Sequence, residues 1–247
     1  MATSPVDGLA GQRIVSATQQ EVADVAATWI AAQARRAYGD HGSFSIALSG
    51  GSTPHLLNEI LAGPEWHDRM DWSWWNVYFG DERACPPDDL ASNYHFAMTT
   101  LLSLVPVAPD RVHRMQAERP DLDAAAAEYS DLLASSLPPG PGGAPRLDVI
   151  LLGLGENGHT ASLFPGTPAL EVTDRWATRG LADYAPFDRI TLTFPAINAA
   201  AAVAFLVTGA SKRAALAATA RGEVPASRVR PIDGTLAWFL DADAAAA

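Results

Sequence analysis

Four short polar segments carry residue types that bind anions and move protons. Ser49-Gly50-Gly51-Ser52-Thr53-Pro54 combines two glycines with two hydroxyls and a proline suited to a helix's first turn. Backbone N–H groups there can approach an anion closely, with the positive end of the helix facing it. This is the chemistry of a phosphate cradle, but an ordinary strand-to-helix turn capped by Ser or Thr uses the same residues. No Gly-Lys-Ser/Thr follows, so it is not a Walker A loop. Gly80-Asp81-Glu82-Arg83 offers a forked guanidinium for a carboxylate, a phosphate or a developing oxyanion. Asp81 and Glu82 would orient Arg83 or a bound hydroxyl; a surface turn with an incidental ion pair has the same composition. Gly155-Glu156-Asn157-Gly158-His159-Thr160 sets an imidazole directly after a glycine turn, and Thr208-Gly209-Ala210-Ser211-Lys212 carries the only lysine of the chain.

His159 has an unperturbed pKa near 6.5, so its neutral ring can take a proton from water. The residues that follow, Thr160 to Phe164, read as a short helical segment, whose N-terminus would disfavour imidazolium. A structural histidine bonded to a backbone carbonyl is the plain alternative. His41, His55, His67, His95 and His113 lack metal-ligand spacing, and no metal or cofactor is expected. Gly153 to Gly158 matches G-x-G-x-x-G, but Pro165 stops any crossover helix and no ribose-binding acid follows, so a dinucleotide site is rejected. Lys212 lies near a helix start, where a cation is unfavourable unless an anion is bound; a solvated surface lysine is the alternative. Cys85 carries no sign of activation. Trp72, Trp74 and Trp75 read as core and rim packing.

These segments need elements to hold them. Phe44 to Leu48, Asn76 to Phe79, Leu147 to Leu152 and Val203 to Val207 are short, nearly continuous apolar runs, as expected of strands covered on both faces. Arg189 to Phe194 and Leu236 to Leu240 are weaker strand candidates. Helical patterns fall at Thr18 to Tyr38, with Val22, Val25, Ala26, Trp29 and Ile30 on one face, at 93–104 after Ser92 as N-cap, at Asp121 to Leu137, and at Ser211 to Arg221. Strands alternating with helices predict an α/β fold: a mostly parallel sheet flanked by helices, a Rossmann-like open three-layer sandwich. Each of the four polar segments follows a strand, and in such sheets ligands bind beyond the carboxyl ends of the strands. The Pro138 to Pro145 stretch reads as a flexible surface loop rather than a boundary, so one domain over 1–247 is expected. Ala244 to Ala247 reads as a frayed tail.

Composition limits the partners. The chain has 247 residues, 48% hydrophobic and 18% charged, with 28 acids against 17 bases and a formal net charge of -11. Nucleic acid and anionic membrane both need a basic face, so neither is expected. Cys85 is the single cysteine, no signal peptide is visible from Met1 to Gln20, and the longest apolar run is too short to span a bilayer. A cytoplasmic protein, monomeric or weakly homo-oligomeric, is expected.

The motif Leu152-Gly153-Leu154-Gly155-Glu156-Asn157-Gly158-His159-Thr160-Ala161-Ser162-Leu163-Phe164-Pro165 resembles the 6-phosphogluconolactonase family. Ala47 to Pro54, Gly80 to Arg83 and Ser92-Asn93-Tyr94 resemble it too, in the same order and spacing, so the resemblance spans roughly Gln19 to Asp241. One departure is Asn157, where the family commonly has Asp. The resemblance implies a metal-free esterase that opens 6-phospho-D-glucono-1,5-lactone to 6-phosphogluconate in the oxidative pentose phosphate pathway, with a sugar-phosphate lactone as its only partner. It further implies His159 as general base and Arg83 as the group that binds substrate or stabilises charge at the carbonyl. Gly50, Gly51, Ser52, Thr53 and Lys212 would hold the phosphate, with Asp81, Asn157 and Arg189 as further substrate contacts. The lack of a G-x-S-x-G elbow speaks against a covalent acyl-enzyme. Two alternatives stand beside it. Glucosamine-6-phosphate deaminases share the fold but place an acid shortly after the Gly-His turn, where this chain has Leu163-Phe164. A non-catalytic sugar-phosphate sensor would bind the same ligand without turning it over.

Overall fold

The computed structural model describes residues 6–246. Its strands are β1 (Gln12–Ser16), β2 (Phe44–Leu48), β3 (Trp75–Phe79), β4 (Asp81–Arg83), β5 (Val149–Leu152), β6 (Ala177–Leu181), β7 (Asp188–Leu192), β8 (Ala202–Val207) and β9 (Thr235–Asp241). Its helices are α1 (Gln19–His41), α2 (Ser52–Ala62), α3 (Pro64–His67), α4 (Asn93–Ala97), α5 (Leu122–Ser136), α6 (Phe194–Asn198), α7 (Arg213–Ala220) and α8 (Ala242–Ala245). Six strands form one sheet in the order β1-β9-β8-β5-β2-β3, and every neighbouring pair is parallel. The remaining three form a small antiparallel sheet, β4-β7-β6.

Successive residues of the central strands serve opposite faces, so one strand feeds two cores. Ile46, Leu48, Val149 and Leu151 pack under α1, α2 and α3, whereas Ala47, Ile150, Leu152 and Phe205 pack under α5, α6 and α7. That is the expected sheet flanked by helices in three layers. The second core holds the Phe205–Trp238 pair, stacked at 3.9 Å. Thr18 caps α1 by accepting from the N–H of Glu21, and Gly42 ends it with φ 78°. Val25 is exposed, off the buried face that the sequence pattern assigned to it.

Three elements depart from the sequence reading. The Ala244 to Ala246 tail is not frayed: α8 is capped by Asp241, and Ala244 is fully buried; Ala247 lies outside the described residues. The Pro138 to Pro145 stretch is a closed turn, tied by Gly140 N–H to Ala144 O at 2.7 Å and Arg146 N–H to Pro138 O at 2.8 Å. The third departure is a strand. The chain leaves β3 through Gly80, whose N–H donates to Leu48 O and whose carbonyl accepts from Leu192 N–H, both at 2.9 Å. One residue thus joins the two sheets, and β4 carries Asp81 and Arg83 beyond the end of the parallel sheet.

Glu82, between them, points the other way. It is buried, and its carboxylate accepts the backbone N–H groups of Arg83, Asn93 and Tyr94 at 2.7–2.8 Å and the Ser92 hydroxyl at 2.9 Å. The first turn of α4 is therefore held by a charge from another strand. Burial still raises the Glu82 pKa against those hydrogen bonds. Glu82 does not orient the Arg83 guanidinium, as the sequence reading had it; it fixes the backbone on which Arg83 and Asn93 sit. Glu82→Ala, which strands three buried N–H donors, is expected to destabilise the protein by about 3 kcal/mol or more, read from urea unfolding. An unchanged unfolding midpoint would show that water replaces the carboxylate at no cost.

Candidate active site

The direction of chain progression reverses at the middle of the large sheet. From β2 the chain steps outward to β3, and from β5 it steps the opposite way to β8 and β9. A crevice opens at such a switch point, beyond the carboxyl ends of the strands. Here it is a cleft of about 230 Å³, lined from the ends of β2, β3, β5 and β8. The four polar segments therefore do meet. Gly50 to Thr53, Asp81, Arg83, His159 and Lys212 all line the cleft. Asn157 and Arg189 do not line it. A larger cleft of about 750 Å³ opens at the amino ends of β1, β5, β8 and β9, lined among others by Gln12, Arg36, Asp148 and Asp233, and holds none of these segments.

One wall of the cleft comes from the segment between β2 and α2. Gly51 precedes α2 with φ 112°, which favours glycine, and no side chain caps the helix. The first N–H groups of an eleven-residue helix thus end at the cleft. Thr53 Oγ1 meets Thr208 Oγ1 at 2.8 Å and ties this loop to the one after β8. Gly209 in that second loop donates its N–H to both oxygens of Asp241 at 3.0 Å. Lys212 follows, half-buried, at the N-cap of α7, and no ion pair engages it among the described residues. It is a cation at the wrong end of a helix, and an anion in the cleft would offset that placement.

Arg83 and Asp81 form the floor. One Arg83 amino group donates to Ala91 O, whereas its buried Nε has no protein partner. The Asp81 carboxylate accepts from Ser162 Oγ at 2.6 Å and Asn93 Nδ2 at 3.2 Å. Arg189 sits opposite Arg83 in the β4–β7 ladder, 1% exposed, with its Nη1 lacking a partner. Its guanidinium lies 5.3 Å from the Tyr184 ring centre, which seals it off from the cleft wall. Burial, with Arg83 alongside, lowers its pKa, although Asp81 and Tyr184 oppose this.

His159 stands on a turn, not on a helix. Thr160 and Leu163 form an isolated antiparallel bridge, and Ala161 adopts φ 47° between them. The helix-terminus argument for a neutral imidazole is therefore withdrawn. Burial replaces it as the main cause: desolvation lowers the His159 pKa below 6.5, with Lys212 and Arg189 acting in the same direction and Asp81 and Asp183 against it. The ring stacks on Phe164 at 3.9 Å. It also lies over Gly155, where any Cβ would collide with it. Asn157 engages one ring nitrogen: its Oδ1 is 2.6 Å from Nδ1, while His159 lines the cleft. Sequence reasoning missed Asp183 and Tyr184, which flank this histidine from the β6–β7 loop; nothing in their sequence neighbourhood marks them.

Known proteins share this fold and much of this sequence. The family model described as glucosamine-6-phosphate isomerases/6-phosphogluconolactonase matches residues 17–238. A 6-phosphogluconolactonase of Nostoc sp. is 43% identical over 210 residues, 83% of this chain and 85% of that protein. The 6-phosphogluconolactonase of Synechocystis sp. is 39% identical over 241 residues, 96% and 98% of the two chains. Among solved structures, the 6-phosphogluconolactonase of Trypanosoma brucei superposes with a TM-score of 0.85 at 30% identity, over 95% of this chain and 97% of that one. With one family model spanning most of its length and relatives this similar end to end, the chain belongs to the glucosamine-6-phosphate isomerase/6-phosphogluconolactonase family.

Proposed function

We propose that this protein hydrolyses 6-phospho-D-glucono-1,5-lactone to 6-phosphogluconate, as its relatives' names describe, in the cytoplasm and by attack of water that His159 deprotonates. The observation that carries the reading is one cleft holding a half-buried imidazole whose Nδ1 is held by Asn157, the uncapped N-terminus of α2, and the cations Arg83 and Lys212. The phosphate sits against the N–H groups after Gly51 and the ammonium of Lys212. The lactone carbonyl faces Arg83, whose guanidinium stabilises the negative charge that grows on its oxygen. Water bonds to the carbonyl carbon as its proton moves to Nε2. The ring C–O bond then breaks, and the departing oxygen takes that proton back from the imidazolium. A strained cyclic ester needs no stronger nucleophile. Among the described residues no three His, Cys, Asp or Glu side chains are grouped to hold a metal ion.

The deaminase alternative needs an acid near the reacting sugar, just after the histidine turn. Here that segment brings the Phe164 ring against His159 instead. A sensor would bind 6-phosphogluconate yet give no turnover, so a coupled assay with freshly made lactone, corrected for spontaneous opening, separates the readings. In that assay His159→Ala is expected to lower kcat by ~100-fold or more, within the range of general base catalysis. Equal turnover in the two proteins would remove the base. Lys212→Ala is expected to raise KM about tenfold, with kcat changed far less, and the difference is expected to shrink as salt rises; a salt-independent KM would reject the phosphate contact. The lowered pKa has a definite sign. The ring is neutral above its pKa, so in the free enzyme its Cε1–H resonance is expected to titrate with a midpoint below 6.5, leaving a competent base through neutral pH. A midpoint above 6.5 would mean that the nearby carboxylates outweigh burial.

A further inference from the structure

The amide of Asn157 joins two groups that belong to different loops. Its Oδ1 lies 2.6 Å from His159 Nδ1 and also accepts the His159 backbone N–H at 3.1 Å. Its Nδ2 donates to Asp183 Oδ2 at 2.8 Å. Asp183 follows β6, twenty-six residues further along the chain, and does not touch the imidazole by hydrogen bond. We propose that Asp183 is a positioning residue for His159: through the Asn157 amide it fixes the ring tautomer that leaves Nε2 free as the base. This rests on the reading of His159 as that base.

The argument turns on what each atom can donate. An ionised carboxylate only accepts, so Asp183 can engage only the NH2 end of the amide. The oxygen end is then the one that faces the imidazole. That oxygen carries no hydrogen, so Nδ1 must supply it, and the lone pair is left on Nε2. An asparagine with no such partner is nearly symmetric in shape. Turned by half a rotation about its last torsion, it would donate to Nδ1 and place the proton on Nε2, a ring unable to deprotonate water in the cleft. The His159 backbone N–H already favours the oxygen at that end, and Asp183, gripping the NH2 end, adds a second restraint against the flip. Its charge acts as well, more weakly, since the carboxylate is exposed and screened. The charged groups around the ring are Asp81 and Asp183, which favour imidazolium, and Lys212 and Arg189, which oppose it; Phe164 and Tyr184 supply apolar surface.

The test compares wild type, Asp183→Ala and the double variant Asp183→Ala with Asn157→Asp. Asp183 is exposed, so its truncation leaves the core intact. A carboxylate at 157 has two equivalent acceptor oxygens and no donor end, so it needs no outside partner. In the single variant kcat is expected to fall about tenfold at nearly constant KM, the scale of one hydrogen bond to a charged group. The acid limb of kcat/KM is expected to move to lower pH, because an anion near the ring is gone. The double variant is expected to regain most of the lost kcat. Wild-type kcat and an unmoved limb in Asp183→Ala would overturn the inference while leaving the lactonase reading in place. The 15N shifts of the His159 ring, taken where it is neutral, test the same point without substrate. A dominant Nδ1–H tautomer that becomes mixed in Asp183→Ala supports the inference even if no lactone is turned over; an unchanged tautomer ratio overturns it.

Discussion

The hydrogen bond between His159 Nδ1 and Asn157 Oδ1 decides which imidazole nitrogen meets the cleft, and much of the neighbouring structure serves to keep it. The turn that carries both residues is closed by Gly155 N–H to His159 O and Gly158 N–H to Gly155 O, each at 2.9 Å. Gly155 has no side chain because the ring occupies the space a Cβ would need. Phe164 covers one face of the ring, and Thr160 anchors the far side of the turn to Gly153 O at 2.9 Å. A ring held on several sides keeps its position while its protonation changes, as the proposed base would have to do within one turnover. The same packing withdraws the ring from water, and that withdrawal lowers its pKa.

The cleft is cationic within a chain of net charge -11. Its cations are not neutralised by partners of their own. Arg83 keeps a buried nitrogen without an acceptor, and Arg189, which lies behind the cleft rather than lining it, keeps another, opposite Arg83 in the β4–β7 ladder. Asp81 is the nearest anion, and Ser162 and Asn93 already use much of its hydrogen-bonding capacity. Two like charges side by side cost stability, so the rest of the fold must hold them there. Antiparallel pairing of β4 with β7 provides that restraint, because register fixes the two backbones whatever the side chains prefer. Stability given up at these positions is what leaves positive potential for an anionic substrate.

Much of this was legible in the sequence, for reasons that can be named. Strands β2, β3, β5, β8 and β9 are buried on both faces, so they read as apolar runs. The segments after four of them carry glycine, three with hydroxyls and the one after β3 with Asp81 and Arg83, and those segments do converge. The strands that escaped notice lack this signal. β1 is an edge strand with polar, exposed residues, β6 alternates with solvent, and β4 is three charged residues that pair only because Gly80 hands the chain from one sheet to the other. The Thr160 to Phe164 segment looked helical by composition, but Ala161 takes a left-handed conformation that ends any helix there. Arg189 was visible as a cation, yet its seal beneath Tyr184 depends on a loop with no motif of its own.

The fold also explains how one family can contain different chemistries. Gly51, the N-terminus of α2 and the Thr208 to Lys212 loop would, on the proposed reading, form an anion site that does not depend on what happens at the other end of a sugar. The reacting end is set by the turn after β5 and by whatever the following few residues bring against it. In this chain they bring an aromatic ring, and the acidic function appears instead at Asp183, reached through an amide from a separate loop. An acid placed there cannot serve as a proton donor to a sugar in the cleft, because Asn157 stands between it and the imidazole and neither residue lines the cavity. It can only bias the histidine. On the proposed reading, the same carboxylate chemistry that would open a ring as an acid inside the cleft would act, from outside it, to hold the histidine in the form that deprotonates water.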